Sequence, residues 1–500
     1  MSELENHMPE PQAHTHKPTA EQAAAPVLPG GAYIEGRWEA VATPLEVMDP
    51  ESGRIVSVVS RSGAAEVTRA VDYLVREHPR TNWPLWQRRV ALAKAAALVE
   101  QRAPHFESIL TAESIKRASD ARGEVQRAAA TLRLAAEAAS HLEGGTVPFG
   151  NDRRGEGWTG WYTREPLGVV AAITPYNDPL NLVAHKLGPG LLAGNAMVLK
   201  PSELTPLSAF ALVEVLLEAG VPKSHLAVFA GVEAAKALVA DPRIDAISFT
   251  GGRSTADLIA AEGRARKLLM DLGGNNALIA LADADADEVA SSVVEGAFSV
   301  AGQSCLSVQR VLVAAPLYEA VLERVVALAS SLHVGSKYEA GTDVGPMINE
   351  QTAARVMDMV SSAVAEGASL RTGGRHQGAF AEPTVLTGVS HESDVWRHEV
   401  FGPVVVLEPW EDLSCAIDAA NGVDTGLQAG VFTRDIDQAL NLAERLRVGA
   451  VLINSNSDFR IDAMPFGGFK SSGIGREGVP SAVEALSEPK VVAIHRSSTL

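Results

Sequence analysis

A cysteine surrounded by small polar residues stands at position 305, in "SVAGQSCLSVQR". A thiolate is a strong nucleophile when its surroundings lower the thiol pKa. Most single cysteines are inert buried residues, and Cys415 in "DLSCAIDAAN" fits that description. The small neighbours of Cys305 leave its thiol within reach, so Cys305 is the candidate nucleophile, with an inert thiol as the alternative.

An acidic residue followed by two glycines, in "MDLGGNN" (270–276), is the second candidate for chemistry. Asp271 could simply begin a turn. It could also be an acid held over a reaction centre, with Gly273 and Gly274 allowing the backbone a close approach. The local sequence alone leaves both interpretations open.

The composition restricts the classes of function. Five hundred residues exceed what one simple core usually holds, so we expect two or three domains. The net charge of -18 argues against nucleic acid as a partner and gives no electrostatic reason to bind an anionic membrane. No apolar run approaches the roughly 18–20 residues of a membrane span. We therefore expect neither nucleic-acid nor membrane binding.

Residues 1–28 are polar and acidic, which predicts a disordered tail. This segment has no apolar signal core, so we expect no export. We expect no metal site, although His7, His14 and His16 lie close together there. Two cysteines make no disulfide framework, and a reducing cytoplasm is the expected location.

The spacing of apolar residues predicts an α/β protein. Residues 83–142 have the Ala, Leu, Glu and Arg pattern of two or three amphipathic helices. The glycines and alternating aromatic residues of 144–164 predict an exposed hairpin. The short apolar runs "GVVAAITP", "AMVLKPS", "LAVFAG", "AISFTG" and "KLLMDL" follow, mostly separated by helical segments. Buried strands alternating with helices predict a parallel, Rossmann-like sheet.

Two glycine-containing stretches resemble nucleotide-binding loops. "GPGLLAG" (188–194) follows a helical pattern, which favours helix packing. "SFTGGRSTA" (248–256) leaves a predicted strand and opens a helix, and backbone N–H groups at such a helix start can hold a pyrophosphate. The second stretch is therefore the better cofactor candidate.

Seven stretches in order resemble one family. They are "REPLGVVAAITPYNDP", "LAGNAMVLKPSELTP", "SFTGG", "DLGGNN", "AGQSC", "HEVFGPV" and "MPFGGFKSSGIGREG". Together they resemble the NAD(P)-dependent aldehyde dehydrogenases over nearly everything after about residue 32. "ARGEVQRA" and "FRIDAMPFGG" are similar to the subgroup acting on lactaldehyde, glyceraldehyde and phosphonoacetaldehyde.

The resemblance implies the aldehyde dehydrogenase fold, of the α/β class. It consists of a Rossmann-like parallel-sheet cofactor domain, an α/β catalytic domain and a small β oligomerisation arm. We expect the NAD(P)-binding domain at 29–143 and 165–272, and the catalytic domain at 273–470. The arm is expected at 144–164 and 484–500, with "EPKVVAIH" pairing across subunits of a homodimer or homotetramer.

The family mechanism can be carried over residue by residue. The resemblance implies that Cys305 attacks the aldehyde to give a thiohemiacetal, and that hydride transfer leaves a thioester. The amide of Asn177 and the Cys305 backbone N–H would stabilise the oxyanion, although Asn177 alone would read as a turn beside a proline. Lys186 and Glu477 match a buried ion pair that can pass protons outward.

The resemblance also implies a nicotinamide site. Lys200 and Glu203 match residues that hold the adenosine ribose, and a carboxylate there favours NAD over NADP, which remains possible. Glu399 and Phe401 match the holders of the nicotinamide ribose and ring. Further matches to the cofactor site are Thr174, Pro175, Ser202, Phe249, Gly251, Gly252 and Leu272.

The sequence departs from the family at two places. The family has glutamate as the deacylating base where this chain has Asp271, whose reach is shorter by about 1.5 Å. Asp271 could act through a second water, its loop could lie closer, or a thiol such as coenzyme A could accept the acyl group; we expect Asp271 to act as the base. Arg253 follows the glycines of the cofactor loop, where it could approach a phosphate or remain exposed.

The substrate pocket is expected around Cys305, the helix near 120–130 and the polar loop 454–468. Candidate substrate-binding residues are Tyr176, Ser304, Leu306, Asn456 and Arg460. Relatives that use a phosphonate tend to have arginine where this chain has Ser304, so a neutral hydroxyaldehyde is preferred over an anionic substrate. Two rival functions are a coenzyme A-acylating dehydrogenase and a non-catalytic NAD-binding protein of the same fold.

Overall fold

A computed structural model describes residues 30–40, 43–142 and 144–496 of the chain. The predicted tail at 1–28 lies outside the described residues. In the part described, no helix is long and apolar enough to span a bilayer.

The strands are, in chain order, β1 Ala32–Ile34, β2 Arg37–Glu39, β3 Pro44–Met48, β4 Ile55–Ser60, β5 Gly145–Thr146, β6 Trp158–Pro166, β7 Val169–Ile173, β8 Ala196–Lys200, β9 Leu226–Val228, β10 Ala246–Gly251, β11 Lys267–Leu272, β12 Asn276–Ala280, β13 Val308–Ala314, β14 Ser369–Thr372, β15 His376–Gln377, β16 Phe380–Ala381, β17 Thr384–Thr387, β18 Val404–Trp410, β19 Thr425–Gly426, β20 Gln428–Phe432, β21 Ala450–Ile453, β22 Phe469–Lys470, β23 Gly473–Ile474 and β24 Ser487–His495.

The α-helices are α1 Ala64–Glu77, α2 Leu85–Gln101, α3 Ala103–Glu113, α4 Ala118–Glu137, α5 Asn181–Ala193, α6 Leu207–Ala219, α7 Val232–Ala240, α8 Arg253–Glu262, α9 Ala286–Phe298, α10 Ala315–Ser331, α11 Glu350–Ala365, α12 Asp394–Arg397, α13 Leu413–Asn421, α14 Ile436–Arg445 and α15 Val479–Ala485.

The first sheet has the order β2-β1-β9-β8-β7-β10-β11-β23. Its five central strands, β9 to β11 in that order, are parallel, and the flanking pairs are antiparallel. Strands β7 and β8 are buried at every position, because helices cover both faces of a parallel sheet. The five apolar runs in the sequence form these five strands, which confirms the Rossmann-like prediction.

Helix α5 shows what the "GPGLLAG" stretch does. All thirteen of its residues are buried. A Cβ atom at Gly188 would come within 3.1 Å of the Ala135 Cβ in α4, so the glycine allows the two helices to pack closely. The prediction of helix packing, as opposed to a nucleotide loop, is confirmed.

The second sheet has the order β14-β17-β18-β13-β12-β20-β21. Only the β14–β17 pair is antiparallel among the described pairs of this sheet. Helices α9, α10, α11 and α13 contribute buried apolar residues to its core. The α/β class predicted for this half of the chain is therefore confirmed, while the proposed domain boundaries remain predictions.

A third, small sheet joins distant parts of the chain in the order β24-β6-β5. Strand β5 pairs antiparallel with β6, as the hairpin prediction requires, and β24 pairs with β6 over nine residues. Arg164 in β6 fixes the start of β24 through a hydrogen bond of 2.7 Å to the Ser487 hydroxyl. The far edge of β24 has no strand beside it among the described residues.

The two large sheets determine where functional side chains can meet. Strands β7, β8, β10 and β11 present their carboxyl ends at one edge of the first sheet, where ligands bind in open α/β folds. Asp271 lies at the end of β11, and Cys305 lies just before β13 of the second sheet. The candidate nucleophile and the candidate base therefore come from different sheets.

Candidate active site

Cys305 follows an unusual backbone turn. After α9, Val300 and Ala301 both have positive φ angles of 50° and 52°, and Gly302 has 67°. A side chain at Gly302 would come within 2.2 Å of the Gly402 carbonyl oxygen, so this turn packs directly against the segment that carries residues 399–402. Strained backbone of this kind persists only where surrounding contacts fix it. Cys305 keeps some accessible surface although it lies deep in the protein.

The side chain of Asn177 reaches the turn before Cys305 from the end of β7. Its Nδ2 donates to the Gln303 carbonyl oxygen at 3.1 Å, which leaves its second N–H for another acceptor. Among the described residues, no acceptor binds the Cys305 backbone N–H. The structure thus brings the two predicted oxyanion donors to the same place.

Asp271 is buried at the end of β11, between Thr250 of β10 and Gly473 of β23. Within the described part of the chain, neither carboxylate oxygen has a hydrogen-bond partner. Burial, followed by the negative charge of Glu477, raises the pKa of Asp271 well above its usual range. The basic form of this carboxyl group therefore increases as the pH rises, over a higher pH range than for an exposed aspartate.

Glu477 forms the centre of a buried ionic cluster beside Asp271. Lys186 Nζ lies 2.8 Å from its Oε1 and also donates to Ser248 at 3.1 Å, while Thr250 donates to the same Oε1 at 3.2 Å. Arg460 Nη2 lies 3.8 Å from Oε2. Burial opposes the charge, but Lys186 and Arg460 outweigh it and lower the pKa of Glu477 to about 2. The Lys186–Glu477 ion pair that the resemblance implied is present.

The electrostatics of Cys305 oppose the formation of a thiolate. Burial, followed by the charges of Asp271 and Glu399, raises the pKa of Cys305 well above its usual range, and Arg460 opposes this effect. Without a ligand, the nucleophile is therefore a thiol, and its proton has to be removed during the reaction.

The two glycines of "MDLGGNN" make room for Glu399. A Cβ atom at Gly273 would lie 1.7 Å from the Glu399 Oε2, and the Gly274 N–H donates to Oε1 at 3.3 Å. Burial raises the pKa of Glu399 to about 8. Tyr176 meets Phe401 edge-on, with 6.1 Å between ring centres. The glycines therefore serve a close approach to the predicted nicotinamide holder, as opposed to a simple turn.

No role was predicted from the sequence for the two asparagines of the same motif, Asn275 and Asn276. Asn275 accepts from Arg310 Nε at 2.9 Å and donates to the Trp396 carbonyl at 2.7 Å. Asn276 Nδ2 donates to the Cys305 carbonyl at 2.9 Å. Asn275 thus joins the glycine loop to the segment before Glu399, and Asn276 joins it to the nucleophile. The only sequence signal was that the motif continues in two amides.

The predicted cofactor residues gather along the edge of the first sheet. Lys200 and Glu203 form an ion pair of 2.7 Å beside a cleft of about 800 Å³, which Glu203, Gly231 and Val232 help to line. The other predicted cofactor residues lie in or just after the carboxyl-terminal ends of β7, β8, β10 and β11, and they are Thr174, Pro175, Ser202, Phe249, Gly251, Gly252 and Leu272. Arg253 pairs with Asp424 at 3.1 Å, so its guanidinium is engaged by a carboxylate.

Three of the predicted substrate residues, Ser304, Leu306 and Asn456, make contacts inside the protein. Ser304 donates to Asp458 at 2.9 Å, and Leu306 packs with Phe466 and Leu427 beside Cys305. Asn456 is buried, with its amide bonded to the Ser292 carbonyl and the Asp458 N–H. Asn456 therefore holds the loop, because both ends of its amide are used inside the protein, and its contact with the substrate stays a prediction.

A network of charged residues near the nucleophile was mostly missed from the sequence. Asp178, next to the oxyanion amide, contacts Lys116 at 2.6 Å and Arg127 at 3.3 Å. Arg127 also approaches Asp462 at 3.6 Å, and Asp462 pairs with His185 at 2.9 Å. Lys116 precedes α4 and Arg127 lies within it, far from Asp462 in the sequence, so only the fold brings this region to Asp178 and to the loop that contains Asp462.

Comparison with known proteins identifies the family. Residues 38–492 match the sequence model of the Aldehyde dehydrogenase family. The chain belongs to the aldehyde dehydrogenase family. It is therefore an NAD(P)-dependent oxidoreductase, as the seven stretches implied.

Three proteins are similar to this chain over nearly its whole length. Aspartate-semialdehyde dehydrogenase 1 of Pseudomonas canavaninivorans is 46% identical, over 90% of this chain and 96% of that protein. The 3-sulfolactaldehyde dehydrogenase of Priestia megaterium is 38% identical, over 93% of this chain and 98% of that one. The crystal structure of aldehyde dehydrogenase 21 from Physcomitrella patens, in complex with the reaction product succinate, is 35% identical with a TM-score of 0.91, over 94% of this chain and 99% of that one.

The position of Arg460 generates a prediction about pH. Arg460 opposes the acidic groups that raise the pKa values of Cys305 and Asp271, so Arg460→Gln should raise both. The pH midpoint of the first burst of cofactor reduction should move upward by about one unit. Stopped-flow absorbance across pH, with thermal unfolding to confirm folding, measures this. Arg434→Gln, on a 71% exposed side chain, is the control, and an unmoved midpoint in Arg460→Gln would contradict the electrostatic role.

Proposed function

We propose that this enzyme oxidises a short aldehyde, which carries a charged group in addition to the aldehyde, to the corresponding carboxylic acid. The observation that carries the proposal is that the Asn177 amide bonds to the turn before Cys305 and that Asp271 lies near enough to the thiol to affect its pKa. These are the nucleophile, the oxyanion donor and the base that hydrolysis through a thioester requires. The overall reaction converts aldehyde, NAD(P)⁺ and water to carboxylate, NAD(P)H and two protons.

Cys305 and Asn177 carry the first step. A bond forms between Sγ and the carbonyl carbon, and the thiol proton passes to the neighbouring carboxylate of Glu399. The free N–H of Asn177 and the backbone N–H of Cys305 then donate to the oxyanion. NAD(P)⁺ supplies the hydride acceptor when bound. Loss of the hydride restores the C=O bond and leaves the acyl group on Sγ.

Asp271 carries the second step. Ionised Asp271 takes a proton from water, the water oxygen bonds to the acyl carbon, and the C–S bond breaks to release the acid and the Cys305 sulfur. The folded pKa of Asp271 is raised, so the basic form increases as the pH rises. Lys186 and Glu477 lie beside it and provide a path by which the proton leaves.

The cofactor site supports NAD as the preferred nucleotide. Glu203 places a carboxylate at the cleft beside β8, where it accepts ribose hydroxyls and repels an added phosphate. Its ion pair with Lys200 offsets part of that repulsion, so NADP remains a usable cofactor. Glu399, lying against the glycine loop, would hold the nicotinamide ribose.

The pocket favours a charged substrate over the neutral hydroxyaldehyde preferred from the sequence. That preference rested on Ser304 occupying the place of an arginine. The fold supplies cations from elsewhere: Arg127 is 43% exposed beside Asp178, and Arg460 lies near Cys305. Two similar proteins are named for aspartate semialdehyde and 3-sulfolactaldehyde, short aldehydes with a further acidic group.

The direct test of the function is aldehyde oxidation by matched cysteine variants. Cys305→Ala should abolish aldehyde-dependent NADH formation, because it removes the atom that binds the substrate. Cys415→Ala, at the exposed cysteine, should retain it. NADH absorbance and product mass, with and without coenzyme A, report the outcome. Activity that survives in Cys305→Ala overturns the nucleophile, and an acyl-coenzyme A product replaces hydrolysis with thiol transfer.

Variants of Asp271 separate the two chemical steps. Asp271→Asn should slow steady turnover by about 100-fold or more, while the first NADH burst persists, because the base acts after hydride transfer. Asp271→Glu, which restores the longer carboxylate of the family, should keep steady turnover. Asp287→Asn, on a 77% exposed side chain, is the control. Equal loss of burst and steady turnover in Asp271→Asn would contradict the deacylation role.

We also propose that the small sheet forms a homodimer or homotetramer interface. Trp161, Val492 and Ile494 are partly exposed apolar residues on one face of β6 and β24, and β24 offers an unpaired edge within the described part of the chain. The double variant Val492→Asp with Ile494→Asp should therefore sediment as a monomer. Leu258→Asp, on exposed α8, is the control. A monomeric parent protein would contradict the interface.

A further inference from the structure

The residue before the nucleophile, Ser304, is bonded to the carboxylate of Asp458. Ser304 donates its hydroxyl proton to Asp458 Oδ1 at 2.9 Å. Ser304 is the sole side-chain partner of the Asp458 carboxylate among the described residues. The second oxygen of Asp458 is therefore available to a ligand that lies beside Cys305.

The position of Asp458 is fixed from both sides. The Asp458 N–H donates to Asn456 at 2.8 Å, and Asn456 is bonded to the Ser292 carbonyl on α9. The adjacent Ser457 hydroxyl donates to the Leu306 carbonyl at 2.7 Å, directly after the nucleophile. Loop and nucleophile are thus tied together, so the distance from carboxylate to Sγ is constrained. A fixed carboxylate at a short distance from the reacting carbon can discriminate between substrates.

Cations lie near this carboxylate and near the nucleophile. Arg127 and Lys116 both influence Asp458 electrostatically, and Arg127, which also pairs with Asp178, is the more exposed of the two. Arg460 lies close enough to Cys305 to affect its pKa. Its side chain is 6% exposed, and its buried Nε has no partner within the described part of the chain. The guanidinium lies over the Phe466 ring at 3.8 Å, and its Nε is a donor that a ligand acceptor would satisfy.

We propose that Asp458 binds the ammonium group of the substrate, so that the preferred substrate is a short amino-acid aldehyde with both an amino and a carboxylate group. This inference rests on the proposed function. The carboxylate of such a substrate would face Arg127 and Arg460, and its aldehyde would face Cys305. The pocket carries both charges, which suits a zwitterion better than an aldehyde with a single charged group.

The ionisation of Asp458 supports this assignment. Burial raises its pKa to about 6, with the Ser304 hydrogen bond opposing the effect. The carboxylate is therefore ionised at pH 7.5 and attracts an ammonium group. Hydrogen bonds to charged groups are the stronger ones, so removing this charge should have a measurable effect on substrate selection.

The experiment compares three aldehydes at pH 7.5. Aspartate semialdehyde has the amino and carboxylate groups, succinate semialdehyde lacks the amino group, and 3-aminopropanal lacks the carboxylate. The parent enzyme should prefer aspartate semialdehyde over succinate semialdehyde by at least about tenfold in kcat/KM. Asp458→Asn should bring that ratio close to one, whereas Asp287→Asn should preserve it. The ratio is independent of any general change in Cys305 reactivity, because both substrates meet the same nucleophile.

The outcomes separate this inference from the proposed function. If all three aldehydes fail as substrates, this inference is wrong, and if 3-sulfolactaldehyde also fails, the proposed function is wrong as well. If succinate semialdehyde is oxidised as efficiently as aspartate semialdehyde, the proposed function stands and the ammonium site is wrong. A preference that survives in Asp458→Asn also overturns the site, because another group must then recognise the amino substituent.

Discussion

The carboxylates around Cys305 have to be balanced by nearby cations, because the low dielectric of the interior makes an uncompensated charge costly. Burial and the charge of Glu477 raise the pKa of Asp271, whereas Lys186 and Arg460 lower the pKa of Glu477. These groups come from β11, α5 and the loops around β23, so the charge balance joins distant parts of the chain. The same balance controls the nucleophile, since burial and the acidic neighbours hold Cys305 in its thiol form.

Side-chain amides then fix the positions that chemistry needs. Asn177 bonds to the turn before Cys305, Asn276 bonds to the Cys305 carbonyl, and Asn275 links the glycine loop to the segment carrying Glu399. Amides can donate and accept without adding charge, so they rigidify the site and leave its electrostatics unchanged. Gly273 completes the arrangement because any side chain there would displace the Glu399 carboxylate.

The sequence was informative wherever the determinants are local. Five short apolar runs predicted β7 to β11, and the strand-to-helix passage at 248–256 predicted β10 followed by α8. The resemblance supplied the Lys186–Glu477 pair, which no local pattern indicates. Contacts between distant segments could not be predicted in this way: Arg127 meets Asp462 only because α4 and the loop after β21 pack together. The raised pKa of Cys305 likewise depends on how fully the fold encloses the thiol, which no local pattern indicates.

The measurement that tests the central claim most directly is the pH dependence of Cys305 alkylation in the ligand-free enzyme. Iodoacetamide modification followed by peptide mass spectrometry reports Cys305 and Cys415 separately, and the exposed Cys415 serves as the internal reference. Because burial and the charges of Asp271 and Glu399 favour the thiol, half-maximal reactivity of Cys305 should occur well above the ordinary thiol pKa of about 8.5. A midpoint at or below that value would contradict the electrostatic account of the site.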